Sequence, residues 1–142
     1  MKILFVCTGN TCRSSMAEAM ATKLFGVQHQ VASAGVMAMP DQPASAHAIS
    51  AMEMRQINLQ NHKAQMISED LISWADVVLT MTPSHKNAID IDMKTEGKVY
   101  TLGEYAGCDV SISDPFGGNL NVYLSCADEI YELLLKIRDR LN

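Results

Sequence analysis

The chain has 142 residues, 48% hydrophobic and 19% charged, which suits one globular domain over residues 1–142 with a single core. Its formal net charge of −5 argues against a nucleic-acid partner, because phosphate backbones select a basic face. The N-terminal apolar run Ile3-Leu4-Phe5-Val6 is too short for a signal-peptide core, and no stretch approaches the roughly 20 apolar residues of a membrane helix. A cytoplasmic protein without membrane association is expected. The four cysteines, Cys7, Cys12, Cys108 and Cys126, show no metal-ligand spacing with the histidines, so neither a metal nor another cofactor is expected. Free thiols fit a reducing compartment.

Lys2 to Val6 reads as a central strand, continuously apolar as in a parallel sheet covered on both faces. Ser15 to Phe25 reads as a helix, with Met16, Ala17, Met20 and Leu24 at helical spacing and Gly26 as its stop. Gln28 to Ser33 is a second strand ending at Ala34-Gly35. Met37 to Pro43 is a loop, and Ala44 to Ile57 a helix whose Met residues fill the core. Ser68 caps a short helix through Trp74. Val77 to Met81 is the third strand, and Thr82-Pro83 opens a helix to about Ile91. Lys98 to Leu102 is the fourth strand, and Gly103 to Ser113 reads as a loop. Asp114-Pro115-Phe116-Gly117-Gly118 continues it with strong turn chemistry. The last helix, from about Asn121 to Leu141, carries the stripe Tyr123, Ala127, Ile130, Leu134, Ile137 and Leu141. Strands alternating with helices imply an α/β protein with a parallel sheet and right-handed crossovers.

The stretch between the first strand and first helix, Cys7-Thr8-Gly9-Asn10-Thr11-Cys12-Arg13-Ser14, carries the chemistry. A strand, a tight loop and a helix N-terminus converge backbone N–H groups on one spot, which suits an anion. A cysteine attacks only as its thiolate, and this setting favours the thiolate. Arg13, after five intervening residues, can clamp two oxygens of a tetrahedral anion with its planar fork. Ser14 can donate its hydroxyl to the Cys7 sulfur. Asn10 suits the turn, because Asn tolerates left-handed backbone angles. A bare Cys and Arg at this spacing would mean little. The flanking strand, Gly9, Asn10 and Ser14 make it a phosphate loop.

These residues, followed by Met16-Ala17-Glu18, resemble the signature of the low-molecular-weight protein tyrosine phosphatase family, as does Asp114-Pro115 near the C-terminus. Within the family the chain is most similar to the bacterial protein-arginine phosphatases, which carry Thr where Thr11 stands and Asp-Pro-Phe-Gly-Gly where Asp114 to Gly118 stand. The resemblance implies a flavodoxin-like fold, with a four-stranded parallel sheet in the order 2-1-3-4 between helices. It implies Cys7 as nucleophile, Arg13 and the amides of Thr8 to Ser14 as phosphate ligands, and Asp114 as general acid and then base. Read alone, Asp114 is a turn-initiating Asp before proline. The resemblance also implies Ser33 and His62 as supports for the loop. By themselves these read as a strand-end Ser and a surface-loop His. Cys12 is the partner for a reversible disulfide with Cys7, or else a small buried filler.

Phosphorylated proteins are the expected substrates, and a monomer is the expected state. A phosphotyrosine pocket wants apolar walls, and here only Phe116 follows Asp114-Pro115 before two glycines. A phosphoarginine guanidinium needs acceptors, which Thr11 Oγ1 and the Asp114 carboxylate could supply. A protein-arginine phosphatase is therefore expected, with a tyrosine phosphatase as the alternative. An arsenate reductase needs a further cysteine relay, and Cys108 and Cys126 stand far apart. A cysteine phosphocarrier must keep its phosphate, which Arg13, Ser14 and Asp114 together oppose.

Overall fold

The computed structural model describes residues 1–141. Four strands, β1 (Lys2–Cys7), β2 (Gln30–Gly35), β3 (Val77–Thr80) and β4 (Val99–Thr101), form one sheet in the order β2-β1-β3-β4. All three pairings are parallel, with Phe5 opposite both Ser33 and Leu79. The expected order 2-1-3-4 is borne out. Among the described residues six helices accompany them: α1 (Arg13–Phe25), α2 (Ala46–Glu53), α3 (Glu69–Trp74), α4 (Pro83–Asp92), α5 (Leu102–Ala106) and α6 (Leu120–Leu141).

The alternation of β1 side chains explains the two cores. Ile3, Phe5 and Cys7 point into a cluster with Met16 and Met20 of α1, Met52 of α2, and Ile130 and Leu134 of α6. Leu4 and Val6 point the other way, against Ile72 of α3 and Ile89 of α4. A strand buried on both faces must be apolar, and β1 is from Ile3 to Cys7, its fully buried part. Truncating fully buried Phe5 to Ala would cost about 3–5 kcal/mol. Among the described residues, no helix is long and apolar enough to cross a membrane.

Several boundaries differ from the sequence reading. The helix expected over Ala44 to Ile57 is only Ala46–Glu53. Ser45 caps its start by accepting the Ala48 N–H, and Gln56 follows its end at φ 62. The fourth strand stops at Thr101, and Leu102 belongs to α5 rather than to the strand. The expected loop from Gly103 therefore begins as helix. Its cause is a capping box: Thr101 Oγ1 accepts the Glu104 N–H while the Glu104 carboxylate accepts the Thr101 N–H. α1 opens two residues earlier than read, at Arg13. The α6 stripe is buried as expected from Tyr123 to Ile137, and Cys126 and Leu133 join it.

β1 sits where the order of strand addition reverses, with β2 on one side and β3 on the other. Ligands bind outside the carboxyl ends of strands at such a switch point. β1 ends there at Cys7.

Candidate active site

The chain leaves β1 at Cys7, turns through residues 8–12 and enters α1 at Arg13. Asn10 makes the turn at φ 59, within the left-handed region that Asn tolerates. Helices α2, α3, α4 and α5 are each capped by a side-chain oxygen, from Ser45, Ser68, Thr82 and Thr101. α1 is not: its N-cap residue is Cys12, which makes no side-chain cap bond. The first-turn N–H groups of α1, which have no partner inside the helix, are thus left for an anion.

Beneath the loop runs a buried polar network. Asn10 Nδ2 donates to Ser14 Oγ at 2.8 Å and to Ser33 Oγ at 2.9 Å. Ser14 Oγ stands 2.9 Å from Cys7 Sγ. Ser33 in turn donates to the Glu18 carboxylate. The Gln65 N–H donates to Asn10 Oδ1 at 3.0 Å, and His62 Nε2–H donates to the Asn10 carbonyl at 2.6 Å. One buried Asn side chain is therefore fully engaged, which over-determines a backbone conformation that costs energy in isolation. Gly35, at the end of β2, lets the loop approach that strand closely. A Cβ there would meet the Thr8 carbonyl oxygen at 2.4 Å and the Asn10 nitrogen at 3.0 Å.

Arg13 is buried, with Nη1 donating to the Ile112 carbonyl at 2.9 Å and Nη2 to Thr8 Oγ1 at 3.4 Å. Asp114 Oδ2 lies 3.7 Å from Arg13 Nη2, and the Asp114 side chain is half exposed. Its Oδ1 accepts the Phe116 N–H at 3.0 Å, closing the turn that presents the carboxylate. Thr8 Oγ1 also lies 2.9 Å from His85 Nε2. Burial, reinforced by the Arg13 charge, pushes the His85 pKa down to about 4.

Cys7, Thr8, Gly9, Thr11, Cys12, Arg13, Asp114 and Phe116 all line one cleft of about 300 Å³, together with Gln42. Asn10, Ser14, Ser33 and His62 lie behind the loop, in the network just described. Phe116 stands exposed beside the cleft. Cys7 and Cys12 are both free thiols. Cys12 contacts Ser45 Oγ at 3.4 Å and the Tyr123 hydroxyl at 3.5 Å. Cys108 and Cys126 do not line this cleft. Burial pushes the Cys126 thiol up to about 12, so it stays protonated. Chemically the cleft holds a thiol, a bidentate cation, a free helix N-terminus and a carboxylate around one tetrahedral-anion-sized space.

The family model described as low molecular weight phosphotyrosine protein phosphatase matches residues 2–142. The chain belongs to this family. The resemblance drawn from residues 7–14 and Asp114-Pro115 is thereby borne out. A Bacillus subtilis (strain 168) family member named protein-arginine-phosphatase is 42% identical over 147 residues, covering 100% of this chain and 97% of its own. Staphylococcus aureus PtpB, a low molecular weight protein-tyrosine-phosphatase, is 37% identical over 139 residues, with 98% of both chains covered. A solved structure of the YwlE arginine phosphatase, a mutant with a phosphorylated active-site serine, superposes with a TM-score of 0.94 at 41% identity, covering 99% of this chain and 95% of the other.

Sequence reasoning did not find His85, Gln42, Gln65 or the Ile112 carbonyl. No short-range signal pointed to them. His85 follows Pro83 in the first turn of α4, and only the pairing of β3 with β1 brings that turn beside Thr8.

Proposed function

We propose that this family member is a protein phosphatase that removes phosphate from phosphoarginine through a phosphocysteine intermediate. Cys7 attacks phosphorus in line as the thiolate. An S–P bond forms and the P–N bond to the guanidine breaks. Asp114 gives its proton to the leaving nitrogen, so the departing arginine leaves without developing negative charge. Water then attacks phosphocysteine, losing a proton to the Asp114 carboxylate, and inorganic phosphate departs as the Cys7 thiolate reforms. The Arg13 fork and the free amides at the start of α1 hold the equatorial oxygens through both steps and bind the transition state most tightly. Ser14, 2.9 Å from Cys7 Sγ, donates to the sulfur whenever it carries charge. Peroxide would oxidise Cys7 to the sulfenic acid, and attack by the Cys12 thiol would release water and leave a Cys7–Cys12 disulfide.

The observation that carries the arginine reading is the sharing of one cleft by Thr11 and Asp114, with Cys7 among its lining residues. A guanidinium offers several N–H donors, and these two side chains supply oxygens to meet them. The Bacillus subtilis relative's name supports the same substrate. The tyrosine reading is favoured by Phe116 at the cleft and by the name of the Staphylococcus aureus relative. Both substrates use the same two steps.

The deciding test is kcat/KM on paired peptides bearing phosphoarginine or phosphotyrosine, with Cys7→Ser as the blank. A preference of about tenfold or more for phosphoarginine, about 1.4 kcal/mol in barrier, is expected. The reverse preference would move the chain to the tyrosine side with its mechanism intact.

A further inference from the structure

Arg13 needs more than one anchor. Its guanidinium must present two N–H groups to a phosphate, and a displacement of about 1 Å in a positioned group can cost 10²-fold. One anchor is the Ile112 carbonyl, which accepts from Nη1 at 2.9 Å. The other is Thr8 Oγ1, which accepts from Nη2 at 3.4 Å. A hydroxyl is a rotor, so its lone pairs point at Arg13 only if its hydrogen is sent elsewhere. His85 Nε2, 2.9 Å from Thr8 Oγ1, is the partner placed to take that hydrogen.

We infer that His85 is a positioning residue of the phosphatase reaction, acting on Arg13 through the relay His85 Nε2–Thr8 Oγ1–Arg13 Nη2. The inference rests on the phosphatase reading above, but not on the choice between arginine and tyrosine. The hydrogen-bond polarity follows from the neighbours. His85 Nδ1 lies 3.1 Å from Thr82 Oγ1, which in turn lies 3.1 Å from Ser84 Oγ. With the imidazole proton on Nδ1, that N–H donates to Thr82, Thr82 donates to Ser84, and Thr8 donates to Nε2. The imidazole and both threonine hydrogens then have acceptors, and the lone pairs of Thr8 face Arg13. With the proton on Nε2, the Thr8 hydroxyl would accept twice, and an N–H dipole would point towards the guanidinium.

Two charged groups of other elements face His85: Arg13 of α1 and Asp114 of the loop before α6. On its own helix, the neighbouring Lys86 turns to Glu104 at 3.5 Å. His85 is 4% exposed. Burial and Arg13 both oppose protonation, which holds the imidazole uncharged at neutral pH and free to accept at Nε2. The same histidine caps nothing and lines no cleft with Cys7, so its contact with Thr8 is its route to the chemistry.

The test is a double-mutant cycle on the full chain with para-nitrophenyl phosphate, a substrate indifferent to the amino acid carried. Thr8→Val and His85→Leu are each expected to lower kcat/KM about tenfold, mostly in kcat, since misplacement is felt in the transition state. The double variant is expected to be no slower than Thr8→Val alone, because the two residues act in series. His85→Gln, whose amide oxygen can accept from Thr8, is expected to restore most of the loss. Independent losses that multiply in the double variant would overturn the relay, as would a Thr8→Val enzyme of normal rate. Imidazole nitrogen NMR decides the polarity even if His85→Leu fails to fold. An unprotonated Nε2 whose resonance shifts in Thr8→Val is expected, and a protonated Nε2 at pH 7 would overturn the inference. Turnover that survives Cys7→Ser would instead count against the phosphatase reading itself.

Discussion

Two loops meet at the cleft and are held in opposite ways. The loop at residues 7–14 is pinned from below: Asn10, Ser14, Ser33, His62 and Gln65 tie its backbone and side chains into one network. Its Asn10, Arg13 and Ser14 are almost wholly buried. The loop carrying Asp114 lies on the surface. Its carboxylate is half exposed and its Phe116 is 80% exposed; beyond Ile112, which is tied to Met81 and Arg13, its turn is held by the Asp114–Phe116 contact and by the Gly118 N–H donating to the Pro115 carbonyl, with Gly117 at positive φ. In the proposed mechanism the first loop grips phosphate, which is the same in every substrate, and the second meets the leaving group, which differs. On that reading the pinned loop serves the group every substrate shares, and the exposed loop serves the group that differs between phosphoarginine and phosphotyrosine.

The largest effect should come from the yielding loop, through chemistry rather than structure. Asp114→Asn removes the proposed proton donor while keeping the side chain's shape. Turnover of a poor leaving group should fall by roughly 10²–10⁴, and that of a good leaving group by much less. Steady-state kinetics on a paired series of leaving groups checks this. Equal losses across the series would mean that Asp114 serves Arg13 or the loop rather than the leaving group.

Acid should attack the rigid side. The His85 pKa falls from 6.5 to about 4 in the folded chain. Between those values the unfolded chain holds the extra proton, so stability drops as the pH falls. The contribution is fully present above pH 6.5 and is lost by about 3 kcal/mol at pH 4, the worth of the shift. Denaturant unfolding at pH 7 and pH 4 should show wild type losing that much more than His85→Gln. Parallel losses in the two proteins would remove His85 as the cause.

The same contrast explains what was legible in the sequence. The phosphate loop could be read because each of its parts is local: an apolar strand, Asn10 for the turn, Cys7 and Arg13 at fixed spacing, and a helix after it. The parallel sheet followed from the β–α alternation, and its strand order from the family resemblance alone. His85 could not be read, because its role depends on the register of β3 against β1, and a surface-turn histidine looks the same. α5 was legible and missed. Thr101 and Glu104 carry the spacing of a capping box, but β-strand residues precede it and only a single turn of helix follows. By themselves Ser33 and His62 read as an ordinary Ser and His, and only the family resemblance implied a role for them. They acquire meaning only because Asn10 needs partners on both sides.

Two glycines set the loops against each other directly. Gly35→Ala drives a Cβ to 2.4 Å from the Thr8 carbonyl oxygen, which is backbone and cannot swing away. A loss of about 1–3 kcal/mol is expected from this overpacking, together with lower activity, because the loop that shifts is the one proposed to hold phosphate. At Gly117, φ is 83 and nothing lies within 4 Å of an added Cβ. Gly117→Ala should cost about 1 kcal/mol of backbone strain. Thermal unfolding of the two variants ranks them. A Gly117 variant as damaged as the Gly35 variant would mean that the Asp114 loop is as constrained as the phosphate loop.

The smallest effect tests where the two loops cooperate. Thr11 is the proposed selector on the rigid loop, and it shares the cleft with Asp114 and Phe116. Its carbonyl accepts the Ser45 N–H at 3.0 Å, which fixes the backbone. Its Oγ1 lies 3.7 Å from Cys12 Sγ, too weak a contact to define the loop's shape. Thr11→Ile should therefore leave the phosphate grip intact, replacing an acceptor by apolar bulk. A guanidinium would lose a partner and leave an N–H unsatisfied, while a phenyl ring would gain a wall. The ratio of kcat/KM for phosphoarginine over phosphotyrosine peptides should fall about tenfold, with turnover of para-nitrophenyl phosphate nearly unchanged. An unchanged ratio would place selection wholly on the Asp114 loop. A collapse of all three activities would show that the rigid loop cannot change even its outermost side chain without losing its hold on phosphate.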